Sequence, residues 1–169
     1  MRWLAAVLLL GGCMPTLPPA AFSNGTPVML AEKFFSGRTS SYGLLENASG
    51  TPTKRFHVEG HGMALDDGVR LDQKVMIDGE APTTRRWTMR RAGAHGITGT
   101  LSAASGPVEG ETYGNLLHLR YPMKSPPFGT MEQWLYLQPD GVTVLNEATV
   151  RVLGIDVAHI SERITHSDN

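Results

Sequence analysis

From Val28 onward the apolar side chains recur every second residue rather than every third or fourth. That period constrains the fold more than any other feature of the sequence. The clearest stretch is Val69 to Ile77 (VRLDQKVMI). Val69, Leu71, Val75 and Ile77 share one face with Gln73, and Arg70, Asp72, Lys74 and Met76 share the other. Phe56 and Val58 alternate with Arg55, His57 and Glu59; Trp87 and Met89 with Arg86, Thr88 and Arg90; Leu117, Leu119 and Tyr121 with His118 and Arg120. Turn signals punctuate these runs at Asp67-Gly68, Asp78-Gly79, Ala92-Gly93, Gly106-Pro107, Gly110 and Pro139-Asp140-Gly141. No helical pattern of useful length separates the runs, which counts against alternating strand–helix units. The reading is an all-β domain of roughly nine or ten strands, closed most simply as a single antiparallel up-and-down β-barrel. A two-sheet β-sandwich satisfies the same periodicity. Near the C-terminus Val150 and Val152 change parity with Ile155 and Val157 across Gly154. A bend or bulge there predicts a last strand over about residues 156–165.

The N-terminus follows a different rule. Met1-Arg2 is followed by eight apolar residues, Trp3 to Leu10, and then by Gly11-Gly12-Cys13. Eight residues reach only about 12 Å as a helix, too short to cross a bilayer. A basic start, a short apolar stretch and small residues describe an export signal. Its junction with cysteine resembles the lipobox of bacterial lipoproteins, in which that cysteine is lipidated and becomes the first residue of the mature chain. The count of one cysteine fits, since a lipidated residue has no disulfide partner to find. Met14 rather than an aspartate follows it, which points to the outer membrane where the host has two. The next stretch holds Pro15, Pro18, Pro19 and Pro27 and favours extended conformations. The expected organisation is a signal over 1–12, a lipidated Cys13 with a Pro-rich tether over 13–27, and the barrel over 28–169.

Charge and composition remove several function classes. Fifteen Lys and Arg against sixteen Asp and Glu give a net charge of −1, no field for nucleic acid. No nucleophile elbow and no Gly-rich phosphate loop occur, so no catalytic residue and no cofactor is assigned. His57, Glu59 and His61 share a strand face, but the two imidazoles lie two pleats apart and face away from Phe56 and Val58, so no metal site is assigned either. Arg85, Arg86, Arg90 and Arg91 form a basic cluster that reads as an outer face paired with Asp66, Asp67 and Asp72, or as a contact for anionic lipid.

The order of segments is similar to the DUF3833 family of bacterial lipoproteins. The residues that carry the resemblance are Phe34 to Arg38, Tyr42-Gly43, Arg55-Phe56, Gly62 to Gln73, Arg86-Trp87, Gly99-Thr100, Gly114-Asn115, Tyr121, Trp134 to Gly141 and Asn146. The chain departs from the family pattern at Gln73, Glu132-Gln133 and Glu147. The resemblance implies a membrane-anchored barrel of lipocalin-like or calycin-like shape and brings no activity with it.

Within that fold Gln73, Trp87, Asn115, Tyr121, Trp134 and Asn146 are the candidate ligand-binding residues. They lie in or beside apolar strand faces, where polar groups either converge on a ligand or plug a filled barrel. Alternation turns Trp87 inward and Arg86 outward. Gly99, Ala103 and Gly114 are candidates for lining a cavity; Trp87, Met89, Leu119 and Trp134, taken as inward, argue for filling. Two functions follow. The first is a membrane-anchored envelope protein that binds a small apolar or lipid ligand. The second is an envelope protein with a filled barrel whose outer surface docks a partner.

Overall fold

The computed structural model describes residues 17–167; Cys13 and the expected signal lie outside the described residues. Ten strands run β1 (Gly37–Asn47), β2 (Pro52–Leu65), β3 (Gly68–Ile77), β4 (Thr83–Ala92), β5 (Gly96–Leu101), β6 (Val108–Tyr113), β7 (Leu116–Pro122), β8 (Gly129–Leu137), β9 (Thr143–Val152) and β10 (Ile155–Ser167). Each pairs antiparallel with its neighbours in sequence, and β10 returns to pair with β1 from Arg38↔Ser167 to Asn47↔Ala158. The closed ring of hydrogen-bonded strands excludes the sandwich. It also leaves no strand an edge that is open along its whole length.

The period-two reading places side chains correctly on most strands. Val69 and Leu71 of β3, Trp87 and Met89 of β4, and Leu117, Leu119 and Tyr121 of β7 are all buried in the lumen. The parity change near Gly154 is resolved by two devices. Leu153 and Gly154 form a tight hairpin turn with φ of 51° and 83°, and a register shift between Asp156 and Ala158 takes up Val157. Ala158, Ile160, Glu162 and Ile164 then face in, and β10 is longer than expected at both ends.

One end of the barrel is plugged. A short helix α1 (Ala31–Phe34) lies across it with Met29, Phe34 and Phe35 buried, and the Glu32 carboxylate meets Arg91 of β4 at 2.9 Å. Gly62 makes this possible: a Cβ there would stand 1.6 Å from the Phe35 carbonyl oxygen. The other end carries the β1–β2, β3–β4 and β9–β10 turns, and there the apolar residues Leu45, Val75, Ile77 and Ile160 are only half-buried.

Residues 18–27, expected as part of a free tether, instead fold onto the barrel. A single 3-10 turn (Pro19–Phe22) sets the Phe22 ring 5.4 Å from Tyr136, and the Met29 N–H donates to the Gly114 carbonyl at 2.7 Å. Proline restricts this segment to few conformations, and the half-buried ring of Tyr136 gives one of them an apolar partner. The small residues offered as cavity linings do other work. Gly99 lets the Thr88 carbonyl approach, Ala103 is exposed in a loop, and Gly114 is a turn residue at φ 52° against Phe22 and Gly25.

Candidate functional site

Half-way along the lumen the apolar core gives way to a belt of polar side chains. Gln73 of β3 stands opposite Arg85 of β4 in register, and its Oε1 accepts two hydrogen bonds, from Arg85 Nε at 2.6 Å and from Trp87 Nε1 at 2.9 Å. The Arg85 guanidinium carbon lies 5.8 Å from the Trp87 ring centroid. The Trp87 ring meets Tyr121 edge-on at 5.3 Å, and the Tyr121 hydroxyl oxygen accepts from Gln133 Nε2 at 3.3 Å. Across the lumen Glu162 of β10 accepts from Ser41 Oγ at 2.5 Å and from Asn146 Nδ2 at 2.8 Å.

These groups surround a cavity of about 30 Å³ lined by Gln73, Arg85, Trp87, Gln133, Asn146 and Glu162 with Leu71, Met89, Leu119 and Leu135. Thirty cubic ångströms admits about one water molecule. Asn146 is 2% exposed, yet its Oδ1 has no hydrogen-bond partner among the described residues. An orphaned buried acceptor costs roughly 1–3 kcal/mol. Burial pushes the Tyr121 phenol up to about 12, the nearby Glu162 pushes in the same direction and Arg85 opposes both, so it is a neutral hydroxyl throughout the physiological range.

Four of the six candidate ligand-binding residues meet at this belt: Gln73, Trp87, Tyr121 and Asn146. Asn115 does not. It sits in the β6–β7 turn, where its Nδ2 donates to the Leu137 carbonyl at 3.1 Å and ties two turns at the plugged end. Trp134 does not either, and its expected inward orientation is corrected. Gln133 and Leu135 are the inward residues of β8, so Trp134 packs on the outer wall with its ring 4.2 Å from His118. His118 bridges to Glu132 at 2.9 Å, and Glu132 also pairs with Arg151. Sequence reasoning missed Arg85, Gln133 and Glu162. Each shares the parity of an apolar neighbour two residues away, namely Trp87, Leu135 and Ile164, so the signal was present but masked by charge or amide.

The outside of the β1–β4 wall is concave. A cleft of about 1,220 Å³ lies over it, lined by residues that include Arg38, Glu59, His61, Asp72, Lys74 and Arg86. Tyr42, 67% exposed, stacks on His57 at 4.4 Å and 6°, and His57 Nε2 lies 3.1 Å from Ser40 Oγ. Arg86 pairs with Asp72 at 2.5 Å, Arg90 pairs with Asp67, and Arg91 reaches Glu32. Three of the four clustered arginines thus lie in ion pairs at the surface; Arg85 alone turns inward. No group of three metal-binding side chains occurs among the described residues.

Comparison with known proteins agrees with this architecture. The sequence model described as "Protein of unknown function (DUF3833)" matches residues 7–166. The S-type phycobiliprotein lyase CPES from Guillardia theta superposes with a TM-score of 0.62 at 11% identity, over 83% of this chain and 94% of that one. A protein with unknown function from the DUF3598 family of Nostoc punctiforme PCC 73102 superposes with a TM-score of 0.58 at 13% identity, over 83% of this chain and 50% of that one. At such identities the likeness is one of fold. No curated protein matches the sequence.

Proposed function

We propose that this chain, which belongs to the DUF3833 family, is a small-ligand-binding β-barrel held at a bacterial envelope membrane, the outer one where there are two, by lipid on Cys13. The observation that carries the binding reading is the belt. A lumen built only for stability gains nothing from a guanidinium, a carboxylate and an amide oxygen without a partner, because apolar side chains of equal volume fill the space at lower cost. Convergent polar groups in apolar walls are instead how a pocket orients a ligand. The likeness to a phycobiliprotein lyase is compatible with a barrel that handles small molecules. The anchor rests on the sequence alone: a short apolar stretch running into Gly-Gly-Cys and no further cysteine.

The belt also narrows the ligand. A drug-sized pocket needs about 300 Å³ or more, ten times the space beside Asn146. No cargo of that size, apolar or polar, fits beside Asn146, so the reading favours a ligand whose polar groups meet the belt at Gln73 and Arg85, which also line the outer cleft. Native mass spectrometry of the full chain extracted from the membranes of its host tests this. A stoichiometric small-molecule adduct, lost in Gln73→Leu, is the expected result; a bare protein mass in every preparation overturns it.

The filled lumen and one further observation favour a second reading, a partner-docking protein. Gly129 pairs with Val152, so Phe128 and Leu153 flank one point at the unplugged end, both at positive φ and 79% and 76% exposed, with Ile155 beside them at 69%. Apolar side chains held out on a strained backbone suit a protein contact. Cross-linking from position 128 in intact cells distinguishes this reading by returning a discrete protein adduct.

A further inference from the structure

The chemical class of the ligand follows from Arg85, and this step rests on the ligand-binding reading above. The Arg85 side chain is half-buried and its Nε is spent on a neutral amide, Gln73. Its two terminal nitrogens have no hydrogen bond, and no carboxylate stands within ion-pair distance among the described residues. Glu162, the carboxylate that shares the cavity, already accepts from Ser41 and Asn146. Gln73 therefore does two things at once. It fixes the orientation of the guanidinium without giving it an ion-pair partner, and Trp87 fixes Gln73 in turn through the second bond to the same oxygen.

The wall beside Arg85 is incomplete. Pairing of β4 with β5 stops at Trp87↔Leu101, so Thr83 to Arg86 have no strand partner on that side. Only Ser102 follows them, with its N–H donating to the Arg86 carbonyl at 2.9 Å and its Oγ accepting from the Arg86 N–H at 3.0 Å. Gln73 and Arg85 consequently line both the inner cavity and the outer cleft. The cleft has the volume that the cavity lacks. Its charged lining is Arg38, Lys74, Arg85 and Arg86 against Glu59 and Asp72, an excess of cations. Arg86 is matched by Asp72, whereas Arg38 and Lys74 have no ion pair among the described residues.

We propose that the outer cleft over β1–β4 binds a small organic anion, whose carboxylate or phosphate is received by the free terminal nitrogens of Arg85. Planar, bidentate recognition of such groups is what a guanidinium does better than an ammonium. Arg38 and Lys74 draw the anion in without holding it, as exposed charges around a site do.

The test is a ligand-observed NMR titration of the full chain in lipid nanodiscs, with empty nanodiscs as blank. The probes are benzoate, phenyl phosphate and neutral benzyl alcohol. Benzoate or phenyl phosphate is expected to bind at least tenfold tighter than benzyl alcohol, and the tighter of the two names the anionic group. Arg85→Gln should weaken the anions roughly 10- to 100-fold, the size of a lost charge-assisted pair, and leave benzyl alcohol unchanged. Arg85→Lys keeps the charge but loses the fork; it should fall between the two and guards against a folding defect in the glutamine variant. Lys74→Gln should slow association of the anions two- to tenfold and reduce its salt dependence. Equal binding of all three probes, or anion binding indifferent to Arg85, overturns the anion assignment and leaves the ligand-binding reading standing. Absence of binding by all three probes overturns this inference, and the co-purified mass then decides the broader reading on its own.

Discussion

Gln73 holds Trp87 by its indole N–H at 2.9 Å, and the same carbonyl oxygen holds Arg85 at 2.6 Å. One side-chain oxygen on β3 thus positions two residues of β4 and sets the geometry of the lumen. Gln73→Leu leaves an indole donor and a guanidinium N–H without an acceptor and should cost roughly 2–4 kcal/mol, read from urea unfolding. Gln73→Glu keeps an acceptor oxygen for both donors and supplies Arg85 with a carboxylate partner. It should stay within about 1 kcal/mol of the parent and abolish the preference for anionic probes. A glutamate variant that binds anions as before would separate Arg85 from the ligand.

Asn146→Asp tests the other side of the belt. Its Nδ2 donates to Glu162 at 2.8 Å, so the substitution replaces a donor with a second carboxylate against the first. Two carboxylates at that distance cannot both ionise cheaply, and one is held above its ordinary range. Because the folded value then exceeds the unfolded one, folding takes up a proton and stability rises as pH falls. The variant should be destabilised by roughly 2–4 kcal/mol at neutral pH and recover much of that near pH 5. A loss independent of pH would show that the donor, and not the charge, matters.

Glu132 gives the opposite sign. Burial pushes its carboxyl up, but the hydrogen bonds from Arg151 and His118 outweigh that and hold it below the usual glutamate range. Between the folded and unfolded values the unfolded chain binds more protons. The contribution of Glu132 is therefore complete above the unfolded value and lost as pH falls through the folded one. Glu132→Gln should cost about 1–2 kcal/mol at neutral pH and flatten the acid side of the stability–pH curve. It should also change the emission of Trp134, whose ring lies against His118. An unchanged acid limb in thermal melts at several pH values would place the sensitivity elsewhere.

Cys13→Ser addresses the anchor. The variant is expected to accumulate as an unprocessed precursor, or as a chain that washes from membranes with high salt. Tight membrane association that survives the substitution after signal removal would overturn the lipid reading. Residues 18–27 pack on the barrel, so only a short span separates Cys13 from the folded domain.

The barrel was largely legible, because alternation is a local property: Val69, Leu71, Trp87 and Met89 each announce their face by their neighbours. The belt was half legible. Gln73 stood out as a polar residue on an apolar face, and Trp87, Tyr121 and Asn146 followed. Arg85 and Glu162 were hidden because a charge is read as outward by default, and only the partners waiting inside reverse that. Trp134 failed the other way. An aromatic ring reads as inward, yet on β8 it covers His118 on the outer wall.

Sequence alone determined that this chain builds antiparallel strands with one apolar face and tight turns, since period and turn chemistry act over a few residues. Tertiary structure decided where the ring closes, that α1 plugs one end, and that Gln73, Arg85, Asn146 and Glu162 face one another. Those last residues come from β3, β4, β9 and β10. Their meeting depends on the closure of β10 onto β1 and on the register of every strand between, a property of the whole barrel that no short stretch of the chain encodes.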